Sequence, residues 1–287
     1  MFHFCDFTII LKLMKKLRGG SNFLSRYVRS SINFLLACFV ILIASCHDAS
    51  SPATANAPLR IAVAANMQYA IKPLVQAFSE KTGYKVDLII GSSGKLTAQI
   101  LQGAPFHVFL SADMKYPNAL AAAGKTHQEP QVYAYGKLIL LSKNTTLDVQ
   151  KALSVLTTNT IQTIAIANPA NAPYGQQAQS LLQHKLPWDT VKSKMVYGES
   201  IAQTNQFIQT GAADIGITSQ SILKSLESPN DYVFLELNEG YEFIAQGAVI
   251  TSYGFESLSQ KSQAFMTFLG NPTSQAILSD FGYQLPE

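Results

Sequence analysis

The sequence feature that most restricts the fold is a regular alternation of short apolar runs with amphipathic stretches, which begins at Leu59. The apolar runs have the length and composition of buried strands, and the stretches between them place apolar residues at helical spacing. The predicted strands are 59–65, 85–90, 107–111, 161–167 and 214–218, and the predicted helices are 69–81, 95–101, 175–184 and 201–210. Strands that alternate with helices form a parallel sheet covered by helices, so the sequence predicts an α/β fold.

The alternation occurs in two separate parts of the chain, which predicts two α/β lobes. Residues 132–141 and 242–251 have an apolar, extended pattern, and we interpret them as the two connections that join the lobes. Helical patterns at 256–269 and 274–281 then return to the first lobe. The predicted division is residues 59–138 with 245–287 for lobe 1 and residues 139–244 for lobe 2. A chain of 287 residues with 47% hydrophobic side chains is long and apolar enough for two such lobes.

The first 46 residues have the layout of a signal peptide. A basic stretch precedes the apolar run 34–43, and the small residues Ala44 and Ser45 follow it. The run is too short for a comfortable membrane span, which needs roughly 20 apolar residues. We therefore predict an exported, periplasmic protein, with an uncleaved anchor helix and a start at Met14 as open alternatives.

The end of this leader resembles a bacterial lipobox. Ile43-Ala44-Ser45-Cys46 has the pattern in which the cysteine is acylated and becomes the mature N-terminus. We predict a leader over residues 1–46, a lipid anchor at Cys46, and a tether over residues 47–58, which are small, polar and proline-bearing. Cleavage without acylation is the alternative.

The charges are divided unequally between the leader and the rest of the chain. Six of the 21 basic residues and one of the 18 acidic residues precede Cys46, which leaves 15 basic and 17 acidic residues. Proteins that bind nucleic acid collect phosphates on a basic surface, and this remainder has no excess of basic residues to form one. We therefore predict no nucleic-acid partner.

The cysteines and histidines offer no catalytic or metal-binding pattern. Cys5, Cys38 and Cys46 all lie in the leader region, so the rest of the chain can form no disulfide, cysteine nucleophile or thiolate zinc site. The histidines after Cys46 have no metal-ligand spacing, and no G-x-S-x-G nucleophile elbow occurs. We predict no cofactor, no metal cation and no enzymatic activity, and a hydrolase stays open as an alternative.

Small and polar residues recur where a predicted strand ends and a helix begins. Asn66 follows the first strand, and Gly91-Ser92-Ser93-Gly94 follows the second. Pro173-Tyr174-Gly175 and Ser200-Ile201 open two helices of the second lobe. Helix N-termini have unpaired N–H groups and a positive dipole end, and ligands of open α/β sheets bind at the carboxyl ends of the strands. Each segment alone could be an ordinary cap or turn, whereas together they predict an anion site in the cleft between the lobes.

These segments resemble those of the periplasmic molybdate-binding proteins, the solute-binding subunits of molybdate ABC transporters. The matching segments are IAVAAN at 61–66, GSSG at 91–94, GAP at 103–105, FLSAD at 109–113 and APYG at 172–175. The similarity extends from Leu59 to Pro286. It implies a two-lobe periplasmic-binding-protein type II fold with a ligand cleft between the lobes. It also implies that the protein delivers molybdate or tungstate to an ABC importer with a permease and an ATPase. A monomer is our default expectation.

The resemblance also implies which residues bind the oxyanion. Asn66 and Ser93 would donate side-chain and backbone hydrogen bonds from lobe 1, and Ala65 would add a backbone N–H. The backbone N–H groups of Tyr174 and Ile201 would donate from lobe 2.

One residue departs from the family pattern. Ser219 stands where some family members have a tyrosine that contacts the ligand, and a serine hydroxyl is too short to make the same contact. This departure bears on ligand preference. Two other functions stay open. One is a binding lipoprotein for another tetrahedral anion, such as sulfate or phosphate, and the other is a secreted hydrolase that uses Ser93 as its nucleophile.

Overall fold

The structure is a computed structural model that describes residues 57–286. The predicted leader with Cys46, and residues 47–56 of the predicted tether, lie outside the described residues. None of the helices between residues 57 and 286 combines the length and the hydrophobicity that a membrane crossing requires.

Ten strands and eight α-helices form the described part of the chain. The strands are β1 (Leu59–Ala64), β2 (Val86–Gly91), β3 (Val108–Ser111), β4 (Gln131–Gly136), β5 (Leu138–Ser142), β6 (Ile164–Ala167), β7 (Met195–Gly198), β8 (Ile215–Ser219), β9 (Val233–Leu237) and β10 (Ile244–Ile250). The helices are α1 (Ile71–Thr82), α2 (Ser93–Leu101), α3 (Lys115–Ala122), α4 (Pro173–Lys185), α5 (Trp188–Lys192), α6 (Ile201–Thr210), α7 (Ser252–Leu269) and α8 (Pro272–Asp280). Short 3-10 helices lie at Ala65–Met67, Val149–Thr157, Gln220–Ser225 and Pro229–Asp231.

The strands form two five-stranded sheets, one in each lobe. The lobe 1 sheet has the order β2-β1-β3-β10-β4, and the lobe 2 sheet has the order β7-β6-β8-β5-β9. The two sheets are equivalent, because in each of them three parallel strands are followed by an antiparallel strand and an edge strand. The predicted two-lobe α/β fold is confirmed.

The sheets are mixed, which corrects the expectation of a parallel sheet. Strand β10 is antiparallel to β3 and β4, and β5 is antiparallel to β8 and β9. Both of these strands enter their sheet directly from the other lobe. They need no helical crossover on the same sheet, and such a crossover is what makes consecutive strands parallel.

The chain passes between the sheets twice. Lys137 alone separates β4 from β5, and residues 238–243 separate β9 from β10. Leu138 already pairs within the lobe 2 sheet, and Ile244 within the lobe 1 sheet. The chain therefore changes sheet at Lys137 and again within residues 238–243.

The C-terminal helices pack on lobe 1. Helix α1 buries Ile71, Leu74 and Phe78, whose spacing places them on one helical face. The Phe78 ring meets the rings of Phe265 and Phe268 in α7 edge to face, with centroids 5.2 and 5.4 Å apart. This aromatic contact holds the end of the chain against the first lobe.

Candidate functional site

A small cavity lies between the two lobes. Its lining residues are Ala64, Ala65, Asn66, Ser92, Ser93, Ala112, Ala172, Pro173, Tyr174 and Ile201. They come from both lobes, and none of them carries a charge. The fold thus brings all five predicted ligand-binding residues, which lie far apart in the sequence, to the wall of one cavity.

Three helices begin at this cavity: α2 from lobe 1, and α4 and α6 from lobe 2. The first main-chain hydrogen bonds within them are donated by Leu96, Gln176 and Thr204. The N–H groups that precede these residues have no partner inside their own helix. Because each N-terminus also carries the positive end of a helix dipole, the uncharged lining can stabilise an anion.

Ser93 has a hydroxyl proton to offer to a ligand. Its side chain is buried, and its Oγ accepts a hydrogen bond of 3.0 Å from the Ala112 N–H. An oxygen that accepts this bond still has its own proton to donate. The hydroxyl of the neighbouring Ser92 is also buried, and it has no hydrogen-bond partner among the described residues.

The side-chain amide of Asn66 is held within the protein. Its Nδ2 donates to Gln246 Oε1 at 2.8 Å and to Tyr283 OH at 3.0 Å. Gln246 Nε2 in turn donates to Ile244 O at 3.1 Å and to Tyr174 OH at 3.3 Å, which fixes the direction of its Oε1. Both Nδ2 protons are therefore used within the protein, which differs from the expectation that the Asn66 side chain donates to the ligand.

A buried polar group, which we call the Asn66 cluster, continues from the cavity into the interior. Its members are Asn66, Tyr174, Ser221, Gln246 and Tyr283, each at most 5% exposed. The carbonyl of Asn66 accepts hydrogen bonds from Ser221 Oγ at 2.6 Å and Tyr283 OH at 2.9 Å. Burial raises the pKa of both Tyr174 and Tyr283 above that of an exposed phenol, so both hydroxyls stay neutral.

The lobes also touch at the edge of the cleft. The Gly94 N–H, in the first turn of α2, donates a hydrogen bond of 2.9 Å to the carbonyl of Asn171 in lobe 2. A Cβ at position 94 would lie 2.9 Å from the Asn171 Cβ, so only glycine allows this approach without a shift. Lys95 and Glu199 form an ion pair of 2.5 Å between half-exposed side chains of the two lobes. The structure is therefore a closed form.

Ser219 takes part in the polar interior and does not line the cavity. Its Oγ lies 2.9 Å from Ser221 Oγ. Sequence reasoning did not single out Ser221, Gln246 or Tyr283. The one available signal was Gln246, a polar residue within the apolar run of β10, because such residues are seldom fully buried without a partner.

No group of three or more His, Cys, Asp or Glu residues that could hold a metal ion occurs in the part of the chain between residues 57 and 286. The lining residues offer N–H groups and the Ser92 and Ser93 hydroxyls as donors, and Asn66 Oδ1 is a buried acceptor without a hydrogen-bond partner among the described residues.

The chain passes twice between two α/β lobes with equivalent sheets, and the lobes close around a cavity at which helices begin. This architecture is that of a two-lobe binding protein of the periplasmic type. Within that class, residues 59–284 match the family of bacterial extracellular solute-binding proteins, and the chain belongs to this family.

Known relatives agree with this assignment. The molybdate-binding protein ModA of Azotobacter vinelandii is 37% identical over 232 residues, which are 80% of this chain and 90% of that protein. ModA of Rhodobacter capsulatus is 36% identical over 223 residues, or 77% of this chain and 86% of its own length. The structure of the A. vinelandii periplasmic molybdate-binding protein is similar with a TM-score of 0.73 and 34% identity, covering 80% of this chain and 100% of that one. The predicted resemblance to this group is confirmed.

Proposed function

We propose that this protein is the solute-binding component of an ABC importer and binds molybdate or tungstate between its lobes. The observation that carries the proposal is the uncharged cavity at which α2, α4 and α6 begin. Converging N–H groups and helix dipoles stabilise negative charge. The ModA relatives, which are named for molybdate binding, support molybdate, and tungstate has the same charge and shape.

In the bound form, five groups donate hydrogen bonds to the oxygens of the anion. They are the backbone N–H groups of Ala65, Asn66, Tyr174 and Ile201 and the hydroxyl of Ser93. Donors from both lobes meet one ligand, so the ligand stabilises the closed form. The permease of the importer, which works with an ATPase, then recognises this form.

This role is binding without catalysis. In the hydrolase alternative, Ser93 needs a base that accepts its proton. The group that contacts Ser93 Oγ is instead the Ala112 N–H, which is a donor. A nucleophilic role for Ser93 therefore lacks support.

The donor chemistry also predicts selectivity. No carboxylate lines the cavity, so a fully deprotonated dianion suits it. Phosphate near neutral pH keeps a proton, and an unmade hydrogen bond for that proton costs about 1 to 3 kcal/mol. Sulfate has the same charge as molybdate, and its weaker binding is expected from the relatives alone.

Thermal-shift measurements with molybdate, tungstate, sulfate and phosphate at matched ionic strength test the function. A ligand that binds only the native state stabilises it by RT ln(1 + [L]/Kd). We expect large, similar shifts with molybdate and tungstate, a much smaller shift with sulfate, and almost none with phosphate. A larger shift with sulfate than with molybdate would refute the ligand. Strong stabilisation by phosphate would contradict the donor site and indicate that Asn66 Oδ1, a buried acceptor without a partner among the described residues, accepts its proton.

We also propose that the protein is exported to the periplasmic side, acts as a monomer and is held at the membrane by an acylated Cys46. The lipobox-like residues 43–46 support the anchor. Replacement Cys46→Ser is expected to move the protein from the membrane fraction to the soluble fraction or to block its processing. An unmodified mature terminus downstream of Cys46, identified by mass spectrometry, would disprove the anchor.

A further inference from the structure

The carbonyl of Asn66 receives a hydrogen bond from each lobe. Tyr283, from the C-terminal segment of lobe 1, donates at 2.9 Å, and Ser221, which follows β8 in lobe 2, donates at 2.6 Å. Asn66 belongs to the turn after β1, whose backbone N–H groups face the proposed anion. The bond from Ser221 therefore joins lobe 2 directly to the proposed ligand-binding turn of lobe 1, without the ligand between them.

The direction of the hydrogen bonds around Ser221 follows from counting protons. A serine hydroxyl has one proton, and that of Ser221 is donated to the Asn66 carbonyl. In the 2.9 Å contact between Ser219 Oγ and Ser221 Oγ, Ser219 must then be the donor. The order is Ser219 to Ser221 to Asn66, and only the second bond crosses between the lobes.

We propose that Ser221 is a positioning residue that stabilises the closed form by holding the Asn66 turn from the opposite lobe. The assignment rests on the proposed function and adds a residue that the ligand does not touch. Ser221 is 2% exposed and Asn66 is 1% exposed, so water does not compete for the bond while the lobes are closed. The proposal requires that the two groups part when the lobes separate, so that the bond contributes only to the closed form.

Because the bond is present in the closed form alone, its loss is predicted to affect the release of the ligand and not its entry. A ligand enters the open form, in which Ser221 and Asn66 are apart, and leaves after the closed form has opened. A neutral hydrogen bond between buried groups corresponds to about a 2- to 12-fold change in an equilibrium. Ser221→Ala should therefore raise the dissociation rate of molybdate about 2- to 12-fold and leave the association rate unchanged. Asn66 O keeps its bond from Tyr283 in this variant, so no buried carbonyl is left without a donor.

Ser219→Ala is the matched control. Ser219 is also buried and lies two residues away, but its hydroxyl contacts Ser221 and does not contact Asn66. We expect Ser219→Ala to have a smaller effect on the dissociation rate than Ser221→Ala. Stopped-flow mixing with molybdate, followed by a chase with excess tungstate, measures both rates. Equal dissociation rates for the wild type and Ser221→Ala, or an equal increase in both variants, would overturn the proposal.

A ligand-free measurement separates this inference from the proposed function. The chain after Cys46 contains no cysteine, so spin labels can be attached at Gln102→Cys in lobe 1 and Gln183→Cys in lobe 2, which are both exposed. In the unliganded protein, Ser221→Ala should lower the population with the shorter label distance about 2- to 12-fold relative to the open form. An unchanged distance distribution would overturn the role of Ser221 even if molybdate binds. Failure of the wild type to bind molybdate would overturn only the proposed function, because the label distances still report on Ser221.

Discussion

The hydroxyl of Ser93 is the one side-chain donor among the proposed ligand contacts. Its neighbours determine whether it donates or accepts a hydrogen bond. The Ala112 N–H occupies one acceptor position of its oxygen. The proton is then the group that remains for an anion, and a hydrogen bond to a charged group is stronger than one between neutral groups.

Replacement Ser93→Ala is expected to weaken molybdate binding about 10- to 150-fold, because a hydrogen bond to a charged ligand contributes about 1.5 to 3 kcal/mol. Titration calorimetry measures the change, and thermal unfolding without ligand shows whether the fold is intact. Affinity equal to that of the wild type in a folded variant would mean that Ser93 has only a structural role.

Residues of the site differ in how far the sequence reveals them. Asn66 and Ser93 follow predicted strands, and Tyr174 and Ile201 open predicted helices, so their shared location could be predicted from the order of elements. Ser221 and Tyr283 could not, since 155 and 217 positions separate them from Asn66 and nothing in their local sequence distinguishes them from other buried residues.

Among the helices and strands, helix α2 both begins at the cavity and contacts the opposite lobe. Its first turn approaches lobe 2 so closely that the Gly94 N–H reaches the Asn171 carbonyl. A Cβ at this position would lie 2.9 Å from the Asn171 Cβ of lobe 2 and 2.9 Å from the Tyr116 hydroxyl of lobe 1. Only the contact with Asn171 requires the lobes to be closed.

Replacement Gly94→Ala is therefore expected to weaken molybdate binding about 5- to 150-fold, since overpacking of this kind costs about 1 to 3 kcal/mol. The free energy of unfolding of the unliganded protein should change less, because the lobe 1 atom that the methyl group meets, the Tyr116 hydroxyl, is at the end of a side chain that can shift. Calorimetry together with small-angle scattering measures both effects. Gly270→Ala is the control, because its Cβ would have Thr267 O as its nearest neighbour, at 3.9 Å. Tight binding and full closure of Gly94→Ala would contradict this account.

The sequence predicts the central strands better than the edge strands, with the lobe 1 edge strand β2 as an exception. Strands β1, β3, β6 and β8 are almost wholly buried, and their continuous apolar runs are visible in the sequence. Strands β7 and β9 were not predicted. Each is at an edge of the lobe 2 sheet, with residues that are partly exposed, and their mixed patterns resemble loops. The antiparallel direction of β5 and β10 depends on the connection between the lobes, which no local pattern records.

At the scale of the whole molecule, the interior of the protein contains buried tyrosine side chains, which can ionise. Burial raises the pKa of Tyr133, Tyr174 and Tyr283. An unfolded chain releases these protons near pH 10, whereas the folded protein retains them to higher pH. The stability that they contribute is therefore complete below about pH 10 and is lost as the pH rises further.

We expect the free energy of unfolding to fall steeply above about pH 10, and Tyr283→Phe to reduce this slope by up to about 1.4 kcal/mol per pH unit. Urea unfolding between about pH 8 and 11 measures the slope. The control is Tyr253→Phe, which removes the hydroxyl of a tyrosine that is 44% exposed. The same slope in the wild type and Tyr283→Phe would show that this phenol does not link folding to pH.

The proposed donors at Tyr174 and Ile201 belong to the main chain, and this has a consequence for how the protein can change over evolutionary time. A point substitution at either position alters the size of the pocket but leaves the N–H in place, with proline as the exception because it has none. The side chains of the pocket can therefore change while the backbone N–H donors remain. Recognition of a negative charge depends on where the helices begin. Two proteins can therefore bind the same oxyanion although few of the side chains that line their pockets are identical. The identity of those side chains alone is a poor indicator of a shared function.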